Sequence, residues 1–210
     1  MISLDDIRIY LPKFLSEPAT VSLFDELARF PKNIDSRVYS LSVAHENSDL
    51  LQGDGLPELP VVNLPDPEVR PVNAMVISNS CDMAPANQRL SSSSVCYCPI
   101  FKLGNYQASL RSKLGPEYYS RIDQMVTDIR SQRITQTFYL PASGRLDYEG
   151  FIFFDRICCC DNQHVDRQRI ADRRLFSLSN YGFYLFLIKL SIHFTRVRDG
   201  VDRTDTSLAS

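Results

Sequence analysis

Apolar residues recur at helical spacing near both ends of the chain, and short apolar runs between them are typical of strands. Near the N-terminus a helix is predicted from about residue 20, with Thr20 or Ser22 as its cap, to its end at Pro31. A second apolar helix is predicted over residues 181–196, with its cap in the polar segment just before it, residues 177–180. Each of these helices has an apolar face to bury.

Four apolar runs in the middle of the chain predict strands, at residues 72–78, 95–101, 135–140 and 150–160. The first two are separated by a loop rich in Ser, Asn and Pro, and we expect them to share a sheet. A further helix, with Pro116 in its first turn, is predicted between the second and third runs. Because helices flank a strand-rich middle, the predicted fold class is α+β: a small, strongly curved antiparallel β-barrel with helical additions.

The same pattern divides the chain into three parts. Residues 1–46 are predicted to form a helical N-terminal extension, residues 47–196 the β-barrel, and residues 197–210 a polar tail. Within the barrel region, residues 103–135 are predicted to be a helical insertion and residues 181–196 a closing helix.

Composition and charge are those of a globular chain with a packed core. The 23 Lys and Arg residues against 25 Asp and Glu residues give a formal net charge of -2, so any site for a polyanion must be local. The N-terminus shows no secretory signal, and a cytoplasmic location is expected. The most apolar stretch, residues 181–194, is shorter than the ~20 residues that a membrane-spanning helix needs, so no membrane association is expected.

The sharpest candidate for chemistry is the run Ser-Asn-Ser-Cys-Asp at residues 78–82, at the end of a predicted strand, where side chains can project into a cleft. Ser78, Cys81 and Asp82 are therefore candidate catalytic residues. A neighbouring carboxylate disfavours a thiolate, and no histidine is close in sequence to serve as its base. The alternative is a turn in which Ser80 and Asp82 bond backbone amides. Motifs for nucleotides, zinc proteases and hydrolases are missing from the sequence, and no cofactor is predicted.

Six cysteines occur without an export signal, so reduced thiols are expected. Cys96 and Cys98 would share one face of a predicted strand, and Cys158 and Cys160 would share one face of another. Four thiolates from two adjacent strands could in principle bind a metal tetrahedrally. Structural zinc sites place two to four residues between paired ligands, and neither pair has that spacing. Buried thiols are therefore preferred, and no metal site is predicted.

Basic residues concentrate before the terminal helix. The candidate nucleic-acid-binding residues are Lys102, Arg167, Arg169, Arg173 and Arg174. Clusters of this kind bind phosphate groups. Because aspartates are interleaved with the arginines, a solvated surface with mutually paired charges is the alternative.

Several features of residues 50–102 occur in the order found in the PemK/MazF-like small barrels. They are Gly53-Asp54, Arg70-Pro71 before an apolar strand that ends in Ser78, a loop with Asn87, and an apolar strand that ends in Pro99-Ile100. This stretch resembles that superfamily, and residues 155–160 with the terminal helix are similar to its last strand and closing helix. The Ser-Cys-Asp signature also resembles an uncharacterised bacterial family that we associate with no established activity.

The resemblance implies an SH3-like barrel that, in active members, cuts single-stranded RNA as a toxin controlled by an antitoxin. The RNA 2′-hydroxyl attacks the adjacent phosphate, and the Arg before the Pro, Arg70 here, stabilises the charge that develops on the phosphoryl oxygens. The family's Thr or Ser after the Pro-Ile pair is Phe101 here, which cannot transfer a proton. Cleavage would then need a replacement acid or base from Ser78, Cys81, Asp82 or Lys102.

The leading hypothesis is a divergent PemK/MazF-like protein that binds nucleic acid or a protein partner in a toxin-antitoxin or phage-defence system. The expected partners are single-stranded RNA and an antitoxin or other protein, and an oligomer is compatible with the sequence. One alternative is a sequence-selective endoribonuclease toxin that uses Arg70. The other is a non-enzymatic scaffold whose helices at 19–31 and 181–196 bind a partner protein.

Overall fold

Two antiparallel sheets organise the chain in a computed structural model, which is described for residues 16–40, 49–87, 90–91 and 93–195. The strands are β1 (Gly55–Asn63), β2 (Asp66–Val76), β3 (Ser94–Pro99), β4 (Phe101–Lys102), β5 (Thr137–Leu140), β6 (Gly150–Phe153) and β7 (Cys158–Asp161). The first sheet has the order β1-β2-β3-β7 and the second β4-β6-β5. The α+β class is confirmed. The described strands do not close into one barrel, so the SH3-like barrel stays a prediction.

Helices flank and interrupt these strands. The α-helices are α1 (Glu17–Ala28), α2 (Ser80–Met83), α3 (Leu103–Lys113), α4 (Tyr119–Arg130), α5 (Ile170–Arg173) and α6 (Asn180–Thr195). Short 3-10 turns occur at Ser36–Val38, Pro116–Tyr118, Asn162–His164 and Arg167–Arg169. The predicted polar tail, residues 197–210, and the first 15 residues of the predicted N-terminal extension lie outside the described residues.

The predicted elements near the two ends of the chain exist, with one different cap. Ser179 caps α6, because its Oγ accepts a hydrogen bond from the backbone N–H of Gly182 at 3.1 Å. The prediction that residues 177–180 cap this helix is therefore confirmed. Helix α1 begins at Glu17, before both Thr20 and Ser22, so the prediction of either as its cap was wrong; Pro18 lies in its first turn.

Two predicted strands in the middle are each divided in two, and the predicted helical insertion contains one more helix than expected. The run 150–160 forms β6 and β7, which belong to different sheets, because the chain turns where Arg156 N–H donates to Phe153 O at 3.2 Å. The run 95–101 is divided at Ile100, whose N–H donates to Asn73 O at 2.8 Å as the chain passes from the first sheet to the second. The insertion 103–135 contains α3 as well as α4. Strands β2 and β3 pair as predicted, with Met75 opposite Cys98.

The largest core cluster lies where α1 and α6 pack on the second sheet. The ring of Phe186 on α6 is 5.6 Å from that of Phe138 on β5 and 6.0 Å from that of Phe154 at the end of β6. Among the described residues, each helix is either too short or too polar to cross a lipid bilayer. The face of α6 that carries Phe186 packs inside the protein.

Candidate functional site

Arg70 lies in the hairpin formed by β1 and β2, where it pairs with Val61 and its side chain is 58% exposed. Its Nε and Nη2 donate to Glu68 Oε2 at 3.0 and 2.5 Å, and Nη2 also reaches Asp66 Oδ2 at 3.3 Å. At ~3.3 Å per residue, Arg70 is ~20 Å along β2 from Val76, and the turn at 78–82 comes only after Val76. The structure therefore does not bring Arg70 together with the other three candidate catalytic residues.

The remaining candidates occupy a turn that leads into α2. Asn79 caps this short helix through Oδ1, which accepts from Cys81 N–H at 2.9 Å. Ser78 Oγ accepts from Cys96 N–H at 2.7 Å and so holds the turn against β3, while Cys81 and Asp82 are exposed. The turn interpretation is supported for Ser80, whose Oγ accepts from Gln52 N–H at 2.9 Å.

The Gly53-Asp54 loop lies beside this turn and is bonded to the end of β2. Gly53 has φ +92°, which favours glycine, and its N–H donates to Val76 O at 2.8 Å. Gln52 Nε2 donates to Ile77 O at 2.8 Å. Between the loop and the start of α6 lies a cleft of about 210 Å³, which Asp54, Ser80 and Ser177 help to line. The structure thus brings together two of the features on which the resemblance is based.

A fully buried ion pair lies behind this cleft. Arg174 Nε is 3.0 Å from Asp54 Oδ2, and both side chains have 0% exposure. Asp54 Oδ1 accepts from Ser177 Oγ, and Oδ2 accepts from Leu51 N–H at 2.9 Å. Burial raises the pKa of the Asp54 carboxyl, and the charge of Arg174 and the bond from Ser177 oppose that rise. Arg174, a candidate nucleic-acid-binding residue, therefore has a structural position, which sequence reasoning missed.

The other four basic candidates are distributed between structural contacts and the surface. Arg173 Nη2 donates to Glu58 Oε2 at 2.6 Å, and Arg167 Nη2 donates to Met83 O at 3.0 Å. Lys102 lies over the ring of Tyr148, 4.6 Å from its centroid, and is exposed, as is Arg169. Among the described residues, Arg173 alone of these four forms an ion pair, and its partner Glu58 lies on β1 and is not one of the interleaved aspartates.

The cysteines do not form the tetrathiolate that their spacing allowed. In the pairing of β3 with β7, Val95 lies opposite Cys160 and Tyr97 opposite Cys158, so Cys158 and Cys160 share a face. On β3, Cys96 and Cys98 alternate with Val95 and Tyr97, so their side chains lie on the other face of the sheet. Burial raises the pKa of the Cys98 thiol to about 12. Within the described ranges, no group of three or more His, Cys, Asp or Glu side chains could hold a metal ion.

An apolar groove of about 270 Å³ lies between α1 and α6. Its lining includes Leu27 and Phe30 from the α1 side and Leu185, Ile188 and Ile192 from α6. Phe30 is 38% and Ile192 45% exposed, although both are large apolar residues. Apolar side chains gathered in one open groove offer a surface that a bound protein or ligand can cover.

Lys189 lies at the base of this groove and is 6% exposed. Its Nζ donates to Gln132 O at 2.7 Å, to Gln132 Oε1 at 3.0 Å and to Ile134 O at 3.0 Å, just after the end of α4. Burial lowers the pKa of Lys189 to about 7. In the sequence, the only signal of this role is one lysine within a mostly apolar helix.

Comparison of the sequence with models of protein families found no family that matches it, and comparison with curated proteins found none that is similar.

Proposed function

We propose that this chain is a binding protein that takes a protein partner in the groove between α1 and α6, as a component of a toxin-antitoxin or phage-defence system. The observation that supports this proposal is the exposure of Phe30 and Ile192 beside the apolar lining of that groove. Burying such side chains against a partner contributes roughly 25 cal/mol per Å² of apolar surface, and this contribution is lost when the groove faces water.

The groove fits an amphipathic helix better than an extended strand. Its two walls are helices, and the strands of the described chain that could offer a free edge lie elsewhere, in the two sheets. A helix laid between α1 and α6 would place apolar side chains at every third or fourth position against Leu27, Ile188 and Ile192. The expected partner is therefore a protein that has an amphipathic helix whose apolar stripe is exposed to solvent before the partner binds.

The toxin-like setting depends on the resemblance to PemK/MazF-like barrels. We propose that the two sheets are a divergent form of that SH3-like barrel. Two observations support this: β2 and β3, which carry the matching residues, are neighbours, and the Gly53-Asp54 loop is bonded to the end of β2. In that setting the helical partner is an antitoxin or a further component of the defence system.

The test compares two substitutions of equal chemistry at two exposed isoleucines. Ile192→Asp places a charge in the groove, whereas Ile157→Asp places the same charge at a site 42% exposed, next to β7. Tagged full-length chains are recovered from source cells after crosslinking, and the recovered proteins are quantified by mass spectrometry. We expect one stoichiometric partner with the wild type and with Ile157→Asp, crosslinked near Phe30, and its loss with Ile192→Asp. Equal recovery with Ile192→Asp would contradict the proposal.

The ribonuclease hypothesis has a separate test. Expression of the wild type is compared with expression of Arg70→Ala for growth arrest, and purified chains are incubated with total RNA. Arrest and cleavage that depend on Arg70 would support the endoribonuclease and remove the need for a purely binding role. Because Arg70 is bonded to Glu68 and Asp66 and lies far along β2 from Cys81, we expect neither effect.

A further inference from the structure

Two cysteines face each other across the neighbouring strands β3 and β7. In the antiparallel pairing of these strands, Cys96 lies directly opposite Cys159. Their side chains project to the same face of the sheet, because residues directly opposite each other in such a pair share a face. Cys159 is exposed, Cys96 is partly buried, and both are free thiols. Solvent therefore reaches the pair from the side of β7.

The backbone hydrogen bonds place this pair in the closer of the two antiparallel arrangements. Cys96 N–H donates to Ser78 Oγ at 2.7 Å, and Cys96 O accepts from Ile77 N–H at 2.9 Å. Both backbone groups of Cys96 thus point away from β7, toward the end of β2. Cys96 and Cys159 therefore form a non-hydrogen-bonded pair, in which the Cα atoms are ~4.5 Å apart and the side chains are closest. Disulfides span Cα separations of about 4.4–6.8 Å, so this pair is within bonding range.

The other four cysteines have no thiol directly opposite them. Cys98 is buried and lies opposite Met75 of β2. Cys158 and Cys160 project to the other face of the sheet, where they lie opposite an aromatic and an aliphatic residue of β3. Cys81 belongs to α2, outside the two sheets. The register therefore selects one pair among the six thiols of the chain.

We propose that Cys96 and Cys159 form a reversible intramolecular disulfide when the chain meets hydrogen peroxide. The exposed Cys159 reacts first: its thiolate sulfur attacks one peroxide oxygen, the O–O bond breaks, and the hydroxide that leaves takes up a proton to become water. The Cys96 sulfur then attacks the sulfur of the Cys159 sulfenic acid, the S–O bond breaks, and a second water leaves. Two thiols and one peroxide thus give one disulfide and two waters, and an external thiol such as glutathione reverses the reaction by exchange.

The disulfide fastens β7, the last strand in the order of the first sheet, to its neighbour β3. It closes a loop over residues 97–158, which contains all three strands of the second sheet. Covalent closure of a loop of roughly 60 residues restricts the unfolded chain, and we expect the oxidised protein to melt about 5–15 °C above the reduced one. This inference does not depend on the groove between α1 and α6.

The test is oxidation of the reduced full-length chain by one molar equivalent of hydrogen peroxide. The remaining thiols are alkylated, and the chain is digested with trypsin without reduction and analysed by mass spectrometry. Cleavage after Lys and Arg separates the two cysteines into peptides 90–102 and 157–167. We expect these peptides to be joined in the monomer, with two of the six thiols protected from alkylation. Absence of the joined peptides, or their presence only in covalent dimers, would overturn the proposal.

Matched variants assign the bond to this pair. Cys96→Ser and Cys159→Ser should each abolish both the joined peptides and the rise in melting temperature on oxidation. Cys158→Ser and Cys160→Ser remove the neighbouring thiols of β7 that face the other side, and both effects should remain. Because Cys159 is exposed, Cys159→Ser decides the assignment even where Cys96→Ser does not fold. Joined peptides that persist in Cys159→Ser, or a wild type whose melting temperature does not rise on oxidation, would overturn the proposed bond.

Discussion

At the scale of single residues, Glu58 and Gln132 adopt the same unusual backbone conformation, but their side chains have different surroundings. Their φ angles are 59° and 58°, in the left-handed region that favours glycine. Gln132 follows α4, and its side chain is buried: Nε2 donates to Tyr139 O at 2.9 Å and Oε1 accepts from Tyr139 N–H at 3.1 Å. The side chain of Glu58 is exposed and has one ion pair, with Arg173.

Replacing each of these residues by glycine should therefore lower stability at position 132 and not at position 58. Glu58→Gly relieves a backbone cost of about 1 kcal/mol and loses a surface ion pair that contributes less, so the free energy of unfolding should stay equal or rise slightly. Gln132→Gly removes both buried side-chain bonds to the Tyr139 backbone and one of the three acceptors of Lys189 Nζ, and it should lower the free energy of unfolding by about 2–3 kcal/mol. Urea denaturation measures both. A rise with Gln132→Gly would show that its side-chain bonds contribute nothing.

At the scale of elements, helix α6 packs closely enough on the turn at Ser36–Val38 that one position must lack a side chain. A Cβ atom on Gly182 would lie 2.1 Å from the backbone carbonyl oxygen of Val38. Gly104, in α3, provides a matched control, because a Cβ atom there would meet nothing within 4 Å. Both glycines lie in the first turn of a helix, and another segment approaches closely at Gly182 alone of the two.

Alanine at these two positions should separate packing from helix propensity. Gly182→Ala forces α6 away from Val38, and we expect it to lower the free energy of unfolding by about 1–3 kcal/mol. Gly104→Ala should raise it by about 0.5–1 kcal/mol, since alanine loses less conformational freedom in a helix. Thermal melts of both variants measure the difference. Stabilisation by Gly182→Ala would mean that α6 does not pack on Val38 as described.

Helix α6 also carries the buried Lys189, which makes stability depend on pH. The pKa of Lys189 is lowered to about 7 in the folded chain, from 10.5 for an ordinary lysine. Between these values the unfolded chain binds a proton that the folded chain does not, so the free energy of unfolding should rise with pH, by up to ~1.4 kcal/mol per unit. Below pH 7 the full cost of the buried charge is present.

Denaturation of the wild type and Lys189→Met between pH 7 and pH 9 measures this dependence. The difference between the two unfolding free energies should change in favour of the wild type as the pH rises, because methionine has no proton to lose. Parallel pH profiles for the two chains would contradict the lowered pKa of Lys189. At the highest pH, Lys189→Met should be less stable than the wild type, because three oxygens lose the buried donor that Lys189 Nζ provides.

Elements with a strong local pattern could be predicted from the sequence, and those that depend on distant partners could not. The apolar run and the Ser179 cap of α6 are local signals, and both the helix and its cap are present. The division of residues 150–160 depends on pairing, since β6 joins β5 and β7 joins β3. The burial of Lys189 likewise depends on oxygens of Gln132 and Ile134, more than fifty residues away in sequence.

At the scale of the whole molecule, Arg174 joins the loop before β1 to the segment before α6. Its side chain is paired with Asp54 and also bonds the backbone carbonyl of Asp49. From the sequence, Arg174 is assigned to a basic surface cluster because other arginines lie close to it in the chain. Its ion-pair partner, Asp54, lies 120 positions earlier. Local charge patterns carry no information about such a pairing, and only the closure of the fold creates it.

Because both members of this pair are fully buried, removing either one should cost more than removing an exposed partner. We expect Arg174→Met or Asp54→Leu alone to lower the free energy of unfolding by about 3–5 kcal/mol, since each leaves an uncompensated buried charge. The double variant should lose no more than either single one, because two apolar side chains leave no charge in the core. Arg173→Met, which breaks the exposed pair with Glu58, is the control and should cost at most about 1 kcal/mol.

Guanidinium chloride denaturation of the four variants and the wild type completes this double-mutant cycle. If the double variant loses much less stability than the sum of the two single losses, the pair acts as one unit that holds the start of β1 against the segment before α6. If the two single losses simply add, the charges are solvated separately and the buried pair does not exist in solution. In that case the loop would be held to the segment before α6 by the bond from Ser177 Oγ to Asp54 and the backbone bond from Gly55 N–H to Phe176 O, without a contribution from the ion pair.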